Sequence, residues 1–195
     1  VDPTVKNYRG DDLTSGLMEA HDSDFDTAVL CDTQGFLTEG PGFNIFVVKD
    51  GKVTTPDRGS LHGITRRSVL ELCAELGIEA AVKPIPRSAL DDADEVFLAT
   101  TAGGVMPASR IGTRILGNDR PGPISMLLKD TYWRKHEEGW HRTPVRPLED
   151  HSLPFTVTVA VCLTRCFRLS TTEAVQVFVV PAPSRRRCSI VYRPA

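Results

Sequence analysis

The chain has 195 residues and a mass of 21.4 kDa, with 41% hydrophobic and 25% charged residues, 15 Gly and 14 Pro. This composition suits one ordinary globular domain and excludes collagen, coiled coil and wholesale disorder. A formal net charge of −2 gives no global basic field for nucleic acid, and no apolar run approaches the ~18 residues of a membrane span.

Asp2 to Tyr8 reads as a short extended segment, because Pro3 pushes Asp2 toward β or polyproline geometry. Leu13 to Ala20 suggests a short helix, and Thr27 to Cys31 a buried strand closed by the Asp32-Thr33-Gln34-Gly35 turn signal. Phe36 to Thr38 is a second short strand, running into a Gly-rich turn at Glu39-Gly40-Pro41-Gly42. Asn44 to Lys49 and Lys52 to Thr55 form a hairpin about Asp50-Gly51. Val69, Leu70, Cys73 and Leu76 recur at helical spacing and predict a helix over 66–76, with Gly77 just past its end. Ala81 to Lys83 reads as an edge strand, Pro84 to Pro86 as a loop and Ala89 to Ala93 as a short helix or turn. Glu95 to Thr100 is a buried strand that enters the turn Thr101-Ala102-Gly103-Gly104. A second helix is predicted over 123–136, with Ile124, Leu127, Leu128 and Tyr132 on one side. Strands and helices mix without strict βαβ alternation, so residues 1–150 are expected to be α+β (mixed α/β).

Charge divides the chain. Residues 1–150 carry 17 Lys and Arg against 24 Asp and Glu, whereas residues 151–195 carry six Arg and a single acid, Glu173. The tail alternates Thr and Val around Phe155 to Val159, then turns Arg-rich at Arg185-Arg186-Arg187, and nothing ties it to what precedes. It is expected to be an unassigned, non-native extension. The chain begins at Val1 and its first methionine is Met18, which predicts a fragment of a longer protein. Of five cysteines, Cys31 and Cys73 sit in apolar stretches and read as small core residues. Cys162 and Cys166 lack a second pair or a His at zinc spacing, so no metal is expected. The odd count without a secretory signal predicts a cytoplasmic protein.

Two turns suit an anion. Gly63-Ile64-Thr65 opens the helix that begins near Arg66, where unpaired N–H groups and the positive end of the dipole favour phosphate; an ordinary N-cap is the alternative. Thr100 to Gly104 places hydroxyls and small residues at the end of a buried strand, where open α/β sheets bind ligands; a plain glycine turn is the alternative. Glu39, between apolar strands, is either an exposed turn residue or a half-buried carboxylate in need of a cationic ring nitrogen or an Arg. Lys6 is one of six lysines, either solvated at the surface or desolvated enough to form a Schiff base.

Taken in order, Lys6, Glu39, Gly63-Ile64-Thr65 and Thr100 to Gly104 resemble the class IV (fold type IV) pyridoxal-phosphate aminotransferases. Val5 to Tyr8, Leu37 to Gly40, Thr55 to Gly59 and Thr100 to Pro107 are most similar to the (R)-selective amine transaminases of that family, and the chain as a whole resembles those enzymes and the branched-chain aminotransferases. The resemblance covers about residues 1–150. It implies the large cofactor-binding domain of such an enzyme, with the family's N-terminal domain missing and residues 151–195 outside it. It implies pyridoxal 5′-phosphate as cofactor, with Lys6 as the Schiff-base lysine and proton shuttle, and Glu39 as partner of the pyridinium nitrogen. Ile64, Thr65 and Thr101 would hold the phosphate, and Thr101 and Ala102 the substrate's carboxylate or small group. The implied reaction moves an amino group from an amine or amino acid to a keto acid, in a homodimer, with no membrane or nucleic-acid partner. A lyase of the same family and a non-catalytic truncated chain are the alternatives. Pro41 stands where the family has a small residue, and Gly10 where the amine transaminases carry an aromatic.

Overall fold

The computed structural model describes residues 2–6, 10–144, 175–180 and 189–193. Its centre is a sheet whose strands alternate apolar side chains between two covered faces. In chain order the strands are β1 (Glu39–Gly40), β2 (Phe43–Lys49), β3 (Lys52–Thr55), β4 (Ala80–Val82), β5 (Glu95–Thr100), β6 (Gly104–Ile111), β7 (Arg114–Ile115), β8 (Val175–Val180) and β9 (Ser189–Arg193). The helices are α1 (Asp11–Asp22), α2 (Ile64–Glu75) and α3 (Pro123–Glu137), with a 3-10 turn at Arg87–Leu90. Spatial order is β4-β3-β2-β5-β6-β8-β9, with β1 paired to β2 and β7 to β6. The pairings mix senses: β3–β4 and β6–β8 are parallel and the rest antiparallel. The mixed α/β expectation is met.

β2 and β5 lie side by side and are buried on both faces, which is why β5 reads as a continuous apolar run. On one face Phe46, Val48, Phe97 and Val105 meet Val69, Leu72 and Cys73 of α2 and Leu128 and Tyr132 of α3. Phe46 and Phe97 are partners in register and stack with ring centroids 4.8 Å apart. On the other face Ile45, Val47, Val96 and Leu98 are covered by Val29, Leu37, Ile85 and Leu90, which come from connecting segments. Cys73 is wholly buried, and desolvation pushes its thiol pKa up to about 11. Cys31 packs on the opposite core, so both cysteines serve as core residues.

Several expectations need correction. The strand expected over 27–31 is reduced to an isolated bridge from Cys31 to Leu37, and Phe36 bridges Pro86. The turn after Thr38 is tighter than expected: Glu39 and Gly40 pair with Asn44 and Phe43, leaving Pro41-Gly42 as the two-residue bend, with Gly42 at φ +82°. α2 begins two residues before Arg66, and Leu127 is 47% exposed although its neighbour Leu128 is buried. β6 is absent from the sequence-based expectation. Two stretches of the tail join the sheet, β8 lying parallel to β6, although the sequence ties residues 151–195 to nothing upstream. Asn7, Tyr8 and the rest of the tail, including Cys162, Cys166 and Arg185 to Arg187, lie outside the described residues.

Candidate active site

The antiparallel register of β2 and β5 sets Asn44 opposite Ala99, so the start of β2 and the end of β5 share one end of the sheet. The loop from Pro56 to Gly63 returns to the same end and launches α2. A cavity of about 790 Å³ opens there, within the size range of small-molecule sites. Lys6, Glu39, Ile64, Thr65, Thr100 and Thr101 all line it. Five of the six predicted site residues thus share one cavity wall, although they span most of the first hundred positions. The sixth, Ala102, is exposed in the turn after β5 and does not line the cavity.

Glu39 is half-buried at the β1–β2 hairpin, so the exposed-turn alternative fails. Its Oε2 accepts the Leu61 N–H at 2.8 Å. Burial drives the carboxyl pKa above its ordinary value, the Leu61 bond opposes that rise, and the charge of Asp12 adds to it. Among the described residues no cation stands within ion-pair distance of Glu39. Gly40 cannot be replaced here without moving the backbone: a Cβ would come within 2.3 Å of the Ala28 carbonyl oxygen.

Gly63, not Thr65, is the N-cap of α2, and among the described residues no side chain caps the helix. Thr65 lies in the first turn and is buried, so the ordinary Thr N-cap alternative does not apply. Uncapped N–H groups, the helix dipole and a Thr hydroxyl therefore converge on the cavity. Behind them Arg66, only 7% exposed, donates through Nη2 to the Pro56 carbonyl at 2.8 Å and through Nε to Thr55 Oγ1 at 3.4 Å. Burial lowers its pKa, and among the described residues no carboxylate forms an ion pair with it. Thr55 passes the chain of bonds on to the Ile45 carbonyl at 2.8 Å, so α2 is pinned to β3 and β2.

The turn at Thr101 to Gly103 is a hairpin loop between antiparallel β5 and β6, with Thr100 opposite Gly104. It is not the strand-to-helix crossover where open parallel sheets bind ligands, so the analogy with such sheets fails even though Thr101 lines the cavity. Lys6 is exposed at the rim, so desolvation does not select it. Asn44, Leu61 and Arg66 are organising residues that sequence reasoning misses. The one signal on offer is the apolar strand that carries Asn44 as a lone amide.

The family model for class IV amino-transferases matches residues 1–111. The chain belongs to that family. The match contains every wall of the cavity described above and all six predicted site residues. Among curated proteins the chain is similar to a probable branched-chain-amino-acid aminotransferase of Synechocystis sp., 45% identical over 113 residues, covering 56% of this chain and 37% of the relative. It is also similar to a putative branched-chain-amino-acid aminotransferase of Methanocaldococcus jannaschii, 36% identical over 134 residues, covering 68% and 46%. Among solved structures, the Escherichia coli branched-chain amino acid aminotransferase superposes with a TM-score of 0.62 at 31% identity, covering 69% of this chain and 47% of that one. A second solved branched-chain amino acid aminotransferase, complexed with N-(5′-phosphopyridoxyl)-L-glutamate, superposes with a TM-score of 0.60 at 37% identity, covering 63% and 41%. This class IV family member therefore spans less than half the length of the curated relatives it matches. No helix among its described residues is long and apolar enough to cross a membrane.

Proposed function

We propose that residues 1–150 form the cofactor-binding part of a pyridoxal 5′-phosphate-dependent aminotransferase. The observation that carries this reading is the single cavity shared by Lys6, Glu39, the uncapped start of α2 and Thr101. The residues fit the group. The helix start and the Thr65 hydroxyl offer donors for a phosphate, and the half-buried Glu39, which has no cation beside it among the described residues, suits a protonated ring nitrogen.

When bound, pyridoxal 5′-phosphate supplies an electron sink for the bond pair left behind as the substrate loses its α-proton. Ile64 and Thr65, with Thr101, would bind the phosphate. The Glu39 carboxylate would hold the ring nitrogen in its protonated form. Lys6 Nζ would carry the cofactor, then take up and return the α-proton. Thr101 would orient the substrate's carboxylate or small group, with Ala102 next to it in the turn outside the cavity wall, and apolar Val5, Leu13 and Phe43 on that wall suit a branched aliphatic side chain. The names of the relatives favour a branched-chain amino acid as donor, with a keto acid as acceptor. A homodimer working in the cytoplasm belongs to the same reading.

Borohydride reduction of the chain with pyridoxal 5′-phosphate, followed by peptide mapping, is expected to leave one label, on Lys6, absent from Lys6→Ala. Label spread over several lysines sinks the reading. In a chain that turns over, product formation without a keto acid would indicate elimination instead of amino transfer.

A further inference from the structure

Three residues around Glu39 close a ring of bonds that its proposed role does not by itself require. Glu39 and Asn44 face each other in the β1–β2 register. The Asn44 side chain, only 5% exposed, donates through Nδ2 to the Leu61 carbonyl at 2.8 Å. The Leu61 N–H donates in turn to Glu39 Oε2 at 2.8 Å. The Gly63 N–H adds a second donor to the Leu61 carbonyl at 2.8 Å, and a Cβ at Gly63 would stand 2.4 Å from Asn44 Oδ1. Loop 56–63 has no strand pairing of its own at Leu61. Leu61 is therefore held on two successive peptide groups: Asn44 and Gly63 grip its carbonyl, Glu39 accepts its N–H, and the Leu61 Cα joins the two.

We infer that Asn44 is a positioning residue: by holding the backbone of Leu61 on its carbonyl side it fixes where the Leu61 N–H meets the Glu39 carboxylate and which protonation state that carboxylate favours. The functional consequence rests on the cofactor reading above, but the ring itself does not. A hydrogen bond donated to a carboxylate favours its charged form, and a Leu61 backbone free to rotate about its Cα would withdraw it. Among the described residues the other titratable groups on this cavity are Asp12 of α1, Lys6 of the N-terminal segment and His62 of the loop; β2 and β5 present only Phe43, Asn44, Ala99 and Thr100. None of these charges moves when Asn44 is replaced by a neutral side chain.

The test is the titration of Glu39, followed by carboxyl-carbon NMR in the apo chain and assigned with Glu39→Gln. Asn44→Ala and Asn44→Leu are each expected to raise the Glu39 midpoint. Leu128→Ala, which empties core space beneath α3, is expected to lower Tm and leave the midpoint where it was. Asn44 variants that lose stability while Glu39 titrates as in the wild type overturn the inference. Should both variants fail to fold, the wild type still decides: the Leu61 amide and the Asn44 side-chain amide are expected to shift with the Glu39 midpoint, and silence in both overturns the ring. Pyridoxal 5′-phosphate binding, read by absorbance, is expected to weaken on the order of 10-fold in the Asn44 variants. A wild-type chain that binds no cofactor, but whose Glu39 midpoint still rises on replacing Asn44, overturns the functional reading and upholds the ring.

Discussion

Glu39 carries opposing demands, and their balance is measurable. Its folded-state pKa lies above the ordinary 4.5 because burial outweighs the Leu61 bond. A carboxyl with a raised native pKa contributes stability that is complete below its unfolded value and is lost as pH rises through the folded one. Glu39→Gln is therefore expected to melt higher than the wild type near pH ~7, with the difference closing by pH ~4. Thermal unfolding of both proteins across that range checks it, and a gap that widens on acidification would refute the sign. The same substitution removes the charge proposed to face a ring nitrogen, so stability and cofactor binding are expected to move in opposite directions at neutral pH. A residue that costs stability in the apo chain and gains a counter-ion with its ligand follows the general rule that binding sites hold groups the fold alone would not choose.

The elements were legible in the sequence wherever local chemistry agreed with the final packing. β3 and β5 emerge with their observed bounds, because a strong turn signal closes one and an unbroken apolar run makes the other. β6 was not legible: Pro107 sits within it, and one glycine precedes it while a second, Gly104, opens it, features that argue against a strand. Pro107 is tolerated opposite Phe97 in the register, and Gly104 takes φ +63° beneath Tyr132, where a Cβ would lie 2.7 Å from the ring. α3 hides its best support in the same way. Its N-cap is Gly122, which has no side chain to offer. The buried Glu95, from the first position of β5, accepts the Ile124 N–H at 2.9 Å and the Ser125 N–H at 2.8 Å. Glu95→Ala is expected to cost about 2–3 kcal/mol by urea unfolding, and Glu95→Gln roughly half of that. A loss below about 0.5 kcal/mol in Glu95→Ala would mean that water replaces the cap.

At the scale of the whole molecule, the candidate site is a product of long-range pairing. Its chemistry-bearing residues were legible only as an ordered set of motifs; composition marked none of them. That they line one cavity depends on β1–β2 and β2–β5 registers, the second of which joins positions about fifty apart and leaves no trace in any short window. α2 spans both stories, offering its first turn to the cavity and its apolar stripe to the sheet. Cys73, at the heart of that stripe, remains a protonated thiol at neutral pH and reaches no solvent. An alkylating reagent meets it only in molecules where α2 has lifted away, so the rate of modification at Cys73, read by peptide mapping, counts those molecules. If α2 leaves only with the rest of the sheet, that rate is expected to climb with urea as steeply as global unfolding does. A flatter climb would show the helix detaching on its own, and would make the mouth of the cavity the part of the protein that breathes first.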